Sequence, residues 1–181
     1  VTIKRLFDFP YYQQETYNTD VALATKKNGV WEKTSSKEYI AKANAVSRAL
    51  LKMGIQKEDK IAVITSNNRT EWNIMDIGIL QTGAQNVPIY PTIAEEDYEY
   101  ILNHSASIYC FVSDEEVLQK VNAIKANVPT LKEVYSFNEI TGCKHWSDLL
   151  HLGEDESNQA EVEARKESIK EDDLATIIYT S

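Results

Sequence analysis

The sequence is poor in the residues that carry readily recognised chemistry: two cysteines, three histidines and six glycines in 181 residues. Two cysteines make no disulfide framework. Cys110 sits in the apolar run Ile108-Tyr109-Cys110-Phe111-Val112 and reads as a small core residue. Basic residues are in deficit, with 19 Lys and Arg against 28 Asp and Glu and a net charge of −9. That balance excludes a non-specific nucleic-acid binder, which needs a basic face. No apolar run reaches the length of a membrane span, and the best candidate, residues 74–80, is interrupted by Asp76 and Gly78. No secretory leader opens the chain, so a reducing cytoplasm is the expected location. No glycine-rich loop follows the last apolar run, residues 174–179, which ends in Thr180 and Ser181.

What is present has the rhythm of an α/β protein. The 43% hydrophobic content and 26% charged residues suit one globular core. Two short runs, 21–25 and 30–34, flank Asn28-Gly29, a dipeptide that accepts positive φ and favours a tight hairpin. The period then changes. Ser35 and Glu38 have capping-box spacing, Tyr39, Ala43, Val46, Leu50 and Met53 follow at helical spacing, and Gly54 stands at a helix stop. Strands are expected at 61–65, 86–89, 108–112 and 174–179, and helices at 36–53, 70–82, 94–103 and 114–126. Thr92 with Glu95, and Ser113 with Glu116, repeat the capping-box spacing. A further strand is read near 132–136 and a short helix near 146–152. The predicted class is α/β: a mostly parallel sheet covered by helices on both faces, with a small N-terminal hairpin. The segment 153–173 carries nine acids against Arg165, Lys166 and Lys170, and reads as a solvated helix and linker.

Candidate chemistry is sparse. His104 is placed to cap its helix and favour its dipole. Cys143, His145, Asp148 and His151 are close in sequence, but their spacing matches no common zinc pattern. In the run 67–72, an asparagine capping the helix and Arg69 pairing with Glu71 or Asp97 is preferred over ligand contact. Pro88 removes a ladder donor, which marks its strand as short or at an edge. The stronger signal is the strand ending in Tyr179, Thr180 and Ser181. Amides and hydroxyls at a strand's carboxyl end can hold an anion once glycines turn the loop. These three residues are the expected start of a phosphate-binding loop, in a chain read as the front part of a longer protein.

Several segments, taken in order, resemble the adenylate-forming (AMP-binding) enzymes. They are residues 31–39, 53–63, Asn67-Asn68-Arg69-Thr70-Glu71-Trp72, Gly83-Ala84-Gln85-Asn86-Val87-Pro88-Ile89-Tyr90-Pro91-Thr92, 100–105 and Ile178-Tyr179-Thr180-Ser181. The last is similar to the entry of the family's phosphate loop, which continues Gly-Thr-Thr-Gly, one residue, Pro-Lys-Gly. Among the branches, 68–72 and 88–92 look most like long-chain fatty acyl-CoA synthetases. The resemblance implies residues 1–19 as an N-terminal arm and 20–181 as the first part of the large N-terminal domain. It implies ATP, Mg²⁺ and coenzyme A as cofactors and substrates, a fatty acid as the acyl donor, and Tyr179, Thr180 and Ser181 near the phosphates. Most catalytic groups would then lie outside this chain, leaving it inactive alone. The alternatives are a medium-chain or aryl acid CoA ligase, or a non-catalytic flavodoxin-like binding domain. Leu6, Phe7, Phe9, Tyr11 and Tyr12 beside Lys4 and Arg5 suit either a lipid surface or packing on another domain. Glu58 stands where the family usually has Gly, an exchange that a turn of negative φ accepts.

Overall fold

Two hydrophobic clusters lie back to back across a five-stranded sheet in the computed structural model, which describes residues 1–180. A 3₁₀ turn, Leu6–Asp8, leads into α1 (Phe9–Thr16), followed by the hairpin strands β1 (Leu23–Lys27) and β2 (Val30–Thr34). Then come α2 (Ser36–Lys52), β3 (Lys60–Ile64), α3 (Thr70–Leu80), β4 (Gln85–Ile89), α4 (Glu95–Ser105), β5 (Tyr109–Val112) and α5 (Glu115–Ile124). The chain continues through β6 (Glu133–Ser136), β7 (Lys144–His145), α6 (Ser147–Leu152) and α7 (Gln159–Ser168). The main sheet has the order β4-β3-β5-β6-β7, and every pairing in it is parallel.

Alternation along each strand feeds both clusters. Ile61 and Val63 face one way, with Tyr109, Phe111 and Tyr135, and pack on α2, α3 and α6. Ala62 and Ile64 face the other way, with Val87, Ile89, Cys110, Val112 and Val134, and pack on α4 and α5. Side chains of period two with both faces covered leave no polar position in the middle of β3 or β5, as the sequence shows. On the α2 side, Phe111 and Tyr135 stack with centroids 5.1 Å apart.

The two best-marked local signals form as the sequence predicts. Asn28 and Gly29 take φ of 48° and 81° at the hairpin turn. Ser35 N–H donates to Glu38 Oε2 at 2.8 Å and Glu38 N–H donates to Ser35 Oγ at 3.1 Å, opening α2. The other two boxes do not form. Helix α4 is entered from Ala94 with no side-chain cap, so Thr92 lies outside it. Helix α5 is capped by Asp114, whose carboxylate accepts from Val117 N–H at 3.1 Å, one residue past Ser113. An aspartate in extended conformation outcompetes the serine beside it. Helices α2 and α3 meet at Gly78, where an added Cβ would stand 2.5 Å from Val46 Cγ1. The missing side chain sets that approach, and Ser47 Oγ donates across it to Gly78 O at 2.8 Å.

Segment 174–179 differs from its expectation. It is not a ladder strand but makes a single parallel bridge, Asn86 with Thr176, at the outer edge of β4. Leu174 and Ile178 are 59% and 60% exposed, so the run is not buried either. Proline explains the short pairing. Asn86 N–H donates to Ala175 O and Asn86 O accepts from Ile177 N–H, both at 3.1 Å. The next donor on that edge would be Pro88, which has no N–H. The edge position read from Pro88 holds; the full strand beside it does not.

Glu58 also departs from expectation. Its φ is +68°, in the left-handed region, so the turn before β3 does not take a negative φ. A β-carbon there costs about 1–2 kcal/mol. Glycine removes that cost but loses about 0.5–1 kcal/mol to greater unfolded-state freedom. Glu58 is exposed, and the turn is held by its backbone N–H donating to Gly83 O at 2.9 Å. Glu58→Gly is therefore expected to stabilise the chain by about 0.5–1 kcal/mol. Urea unfolding reads this as a higher midpoint at unchanged slope, and a lower midpoint would refute the assignment of strain.

Candidate functional site

Parallel strands deliver all their carboxyl ends to one edge of the sheet, where the polar side chains of this chain gather. Strand β3 feeds α3 on one face, whereas β5 feeds α5 on the other. A crevice opens between two such strands, the usual place for a ligand in an open α/β sheet. Here it is occupied by the chain's own polar groups. Ser66 N–H donates to Ser113 Oγ at 3.0 Å, and both hydroxyls donate to Asp114 Oδ2, at 2.6 and 2.7 Å. Burial opposes ionisation of Asp114, but these donors and the amides of α5 outweigh it and hold its carboxyl below the ordinary range.

Beside this crevice lies the most heavily bonded charge cluster. Arg69 sets its fork on Glu71, with Nε to Oε2 at 3.0 Å and Nη2 to Oε1 at 3.1 Å. Its Nη1 donates to Ser113 O at 3.2 Å and to Asn138 Oδ1 at 3.0 Å. Lys27 reaches over from the hairpin and donates to Glu71 Oε1 at 3.2 Å. One arginine thus ties together the ends of β3, β5 and β6, and Glu71 adds β1. The sequence reading of an Arg69–Glu71 pair holds, but no asparagine caps α3. Arg69 itself is the N-cap residue, without a side-chain cap bond, and Thr70 N–H donates to Thr25 Oγ1 at 2.9 Å. Ion pair, hairpin and the residues around Trp146 enclose a cavity of about 590 Å³. A second cavity of about 680 Å³ lies at the opposite edge, by the amino ends of β3 and β4, away from the strand ends that carry this chemistry.

Tyr179 and Thr180 follow the Thr176 bridge on the outer side of β4. Thr176 Oγ1 donates to Asn86 O at 2.9 Å. Beneath it Asn86 Nδ2 donates to Asp76 Oδ1 at 2.8 Å. Tyr179 is half-buried and its Oη lies 2.7 Å from His104 Nδ1. Thr180 is exposed. Ser181, the third predicted site residue, lies outside the described residues. His104 does not cap α4, whose end is closed by backbone instead: Ala106 takes φ of 54° and Ser107 N–H donates to Leu102 O at 3.1 Å. His145 commits both ring nitrogens within the fold, Nε2 to Phe137 O at 2.8 Å and Nδ1 to Ser147 Oγ at 2.7 Å.

Residues 12–181 match the family described as AMP-binding enzyme. The chain belongs to this family. It is 33% identical to the long-chain-fatty-acid–CoA ligase FadD15 of Mycobacterium bovis over 85% of this chain and 25% of that protein. It is 28% identical to the long-chain-fatty-acid–CoA ligase ACSBG2 of Xenopus laevis over 100% of this chain and 24% of that protein. The chain thus spans about a quarter of the length of these curated relatives. Among solved structures, the coronafacic acid ligase of Pectobacterium brasiliense (R395G form) superposes with a TM-score of 0.74 at 16% identity, over 96% of this chain and 33% of that one. The anthranilate CoA ligase AuaEII, solved with anthranoyl-AMP, gives 0.71 at 22% identity, over 80% of this chain and 27% of that one. Both agree with the fold described above: a parallel sheet between helices and a small antiparallel hairpin.

The Arg69–Glu71 pair gives this AMP-binding fold a marked acid dependence. Burial raises the Glu71 pKa, but the Arg69 fork, a backbone amide and Lys27 together hold its carboxyl down at about 2, against an ordinary 4.5. A depressed folded pKa means that the unfolded chain takes the proton first. The stabilisation is full above about pH 4.5 and is lost as pH falls towards 2. At 1.36 kcal/mol per unit this is about 3 kcal/mol. Glu71→Gln leaves Arg69 buried and unpaired and should cost about 3–5 kcal/mol at pH 7. The gap from wild type should narrow between pH 4.5 and 2.5, followed by urea unfolding. A gap independent of pH would refute this role for Glu71.

Proposed function

We propose that this chain is the front part of the nucleotide-binding domain of an ATP-dependent long-chain fatty acid–CoA ligase. The reading rests on one juxtaposition. In an AMP-binding chain 28% and 33% identical to long-chain-fatty-acid–CoA ligases, residues 174–180 run along the free edge of β4 towards the carboxyl edge of the sheet. The reaction has two steps. A fatty acid carboxylate attacks the α-phosphate of ATP, giving acyl-AMP and pyrophosphate; the thiol of coenzyme A then displaces AMP. Bringing two anions together is the physical obstacle, so donors around the phosphates do most of the work. The hydroxyls of Thr180 and Ser181 and the amides beside them have the chemistry for this. Among the described residues, no group of three or more His, Cys, Asp and Glu side chains gathers to hold a metal ion. Mg²⁺ would enter with the phosphates of ATP.

We place the protein in the cytoplasm. Among the described residues no helix is long and apolar enough to cross a membrane. Leu6 and Phe9, 50% and 46% exposed, are open to a lipid surface or to another domain, together with Val1 and Ile3, whereas Phe7 is buried.

In the full-length ligase, Thr180→Ala and Ser181→Ala should each lose a charge-assisted hydrogen bond, about 1.5–3 kcal/mol in the transition state for adenylation. That is roughly one to two decades in kcat/KM, with little change in folding stability. The assay follows acyl-AMP formation across acids from acetate to palmitate, with benzoate and anthranilate included. Unchanged adenylation in both variants removes the phosphate role, and a preference for acetate or an aryl acid overturns the long-chain assignment. The 181-residue chain by itself is expected to release no pyrophosphate above background with ATP, Mg²⁺ and palmitate. Turnover by this chain alone would show that it holds a complete active site.

A further inference from the structure

The approach to the phosphate loop is held by less backbone than a sheet strand usually offers. Its ladder bonds to β4 end at Ile177 N–H, because Pro88 brings no donor to that edge. Two residues later the chain is fastened again, by side chains. Tyr179 Oη is hydrogen-bonded to His104 Nδ1 at 2.7 Å. The Tyr179 ring stands edge-on to His104, at 5.6 Å, and to Tyr100, at 6.4 Å. Tyr100 and His104 lie one turn apart on α4 and stack at 5.5 Å, so the ring that holds Tyr179 is itself held. Helix α4 is rooted in the core by Tyr98, Ile101 and Leu102. His104 is free for this task because the helix end is closed by Ala106 and Ser107.

We propose that His104 is a positioning residue for the phosphate loop: it replaces the ladder bond that Pro88 cannot make and fixes where Thr180 leaves the sheet. The role rests on the ligase reading for its effect on ATP, but not for its effect on the chain itself. Two measurements keep those apart. In the 181-residue chain, hydrogen exchange of the Ile177 amide, which donates to Asn86 O, should quicken about two- to tenfold in Tyr179→Phe, which loses only the hydroxyl, and in His104→Phe, which keeps only the stacked ring. Exchange within α3 and β3 should not move, and His104→Asn should restore part of the protection. In the full-length ligase the same variants should raise KM for ATP two- to tenfold and leave KM for the fatty acid alone. The double variant should be no worse than either single one. Unchanged exchange at Ile177, or additive effects in the double variant, would overturn the clamp. A full-length protein that makes no acyl-AMP, combined with quickened exchange, would sink the ligase reading and leave the clamp standing.

Discussion

A strand buried on both faces has to be apolar at every position, and β3 imposes this on everything around it. It is paired on both sides, by β4 and β5, and its residues Ile61 to Ile64 are at most 1% exposed. Helices must cover both faces, the crossovers must be long, and polar work is pushed to the strand ends. The polar edge of this protein follows from that rule. Ser66, Arg69, Ser113, Asp114 and Asn138 are each among the first residues to leave a strand, and they bond to one another because the strands are parallel and end together.

Charge at that edge is arranged to be satisfied rather than exposed. Arg69 and Glu71 have side chains only 9% and 7% exposed, and each has partners beyond the other. Such a pair adds little stability over an apolar substitute, but it cannot be dismantled one side at a time. Its geometry also joins four elements distant in sequence: the hairpin, α3, β5 and the end of β6. The hairpin would otherwise be a two-stranded ribbon with little apolar burial, which is marginal in water. Here it is anchored by Lys27 and Thr25.

Much of the fold can be read from the chain because its signals are local and mutually consistent. Short continuous apolar runs alternate with capped helical spacing, the order of a parallel α/β sheet, and Asn-Gly marks the separate hairpin. The failures share a different cause, which is competition between neighbours. Asp114 displaced Ser113 as a cap, and α4 is closed by backbone while His104, in its last turn, bonds Tyr179 instead of a helix carbonyl. The turn at Glu58 was bent by its bond to Gly83, a residue 25 positions away in sequence. The site was legible only in part. The Ser66–Ser113–Asp114 network has no motif, since its members come from two separate strand ends. Residues 174–179 look like a buried strand because composition reports apolarity without saying what lies opposite. Pro88 held that information, and it applies to the strand's partner as much as to its own.

The burial of Cys110 on the α4–α5 face of the sheet has a practical side. Ala62 and Cys110 sit side by side in the sheet, and Cys110 is wholly enclosed, with burial pushing its thiol up to about 12. At neutral pH almost none of it is thiolate, the only form that alkylating reagents attack. Cys143, partly exposed beside β6, is the one remaining cysteine. The wild-type chain therefore carries a single addressable attachment point for a fluorophore or spin label, on the far side of the sheet from β4. Reaction at Cys110 would report that the two layers had parted.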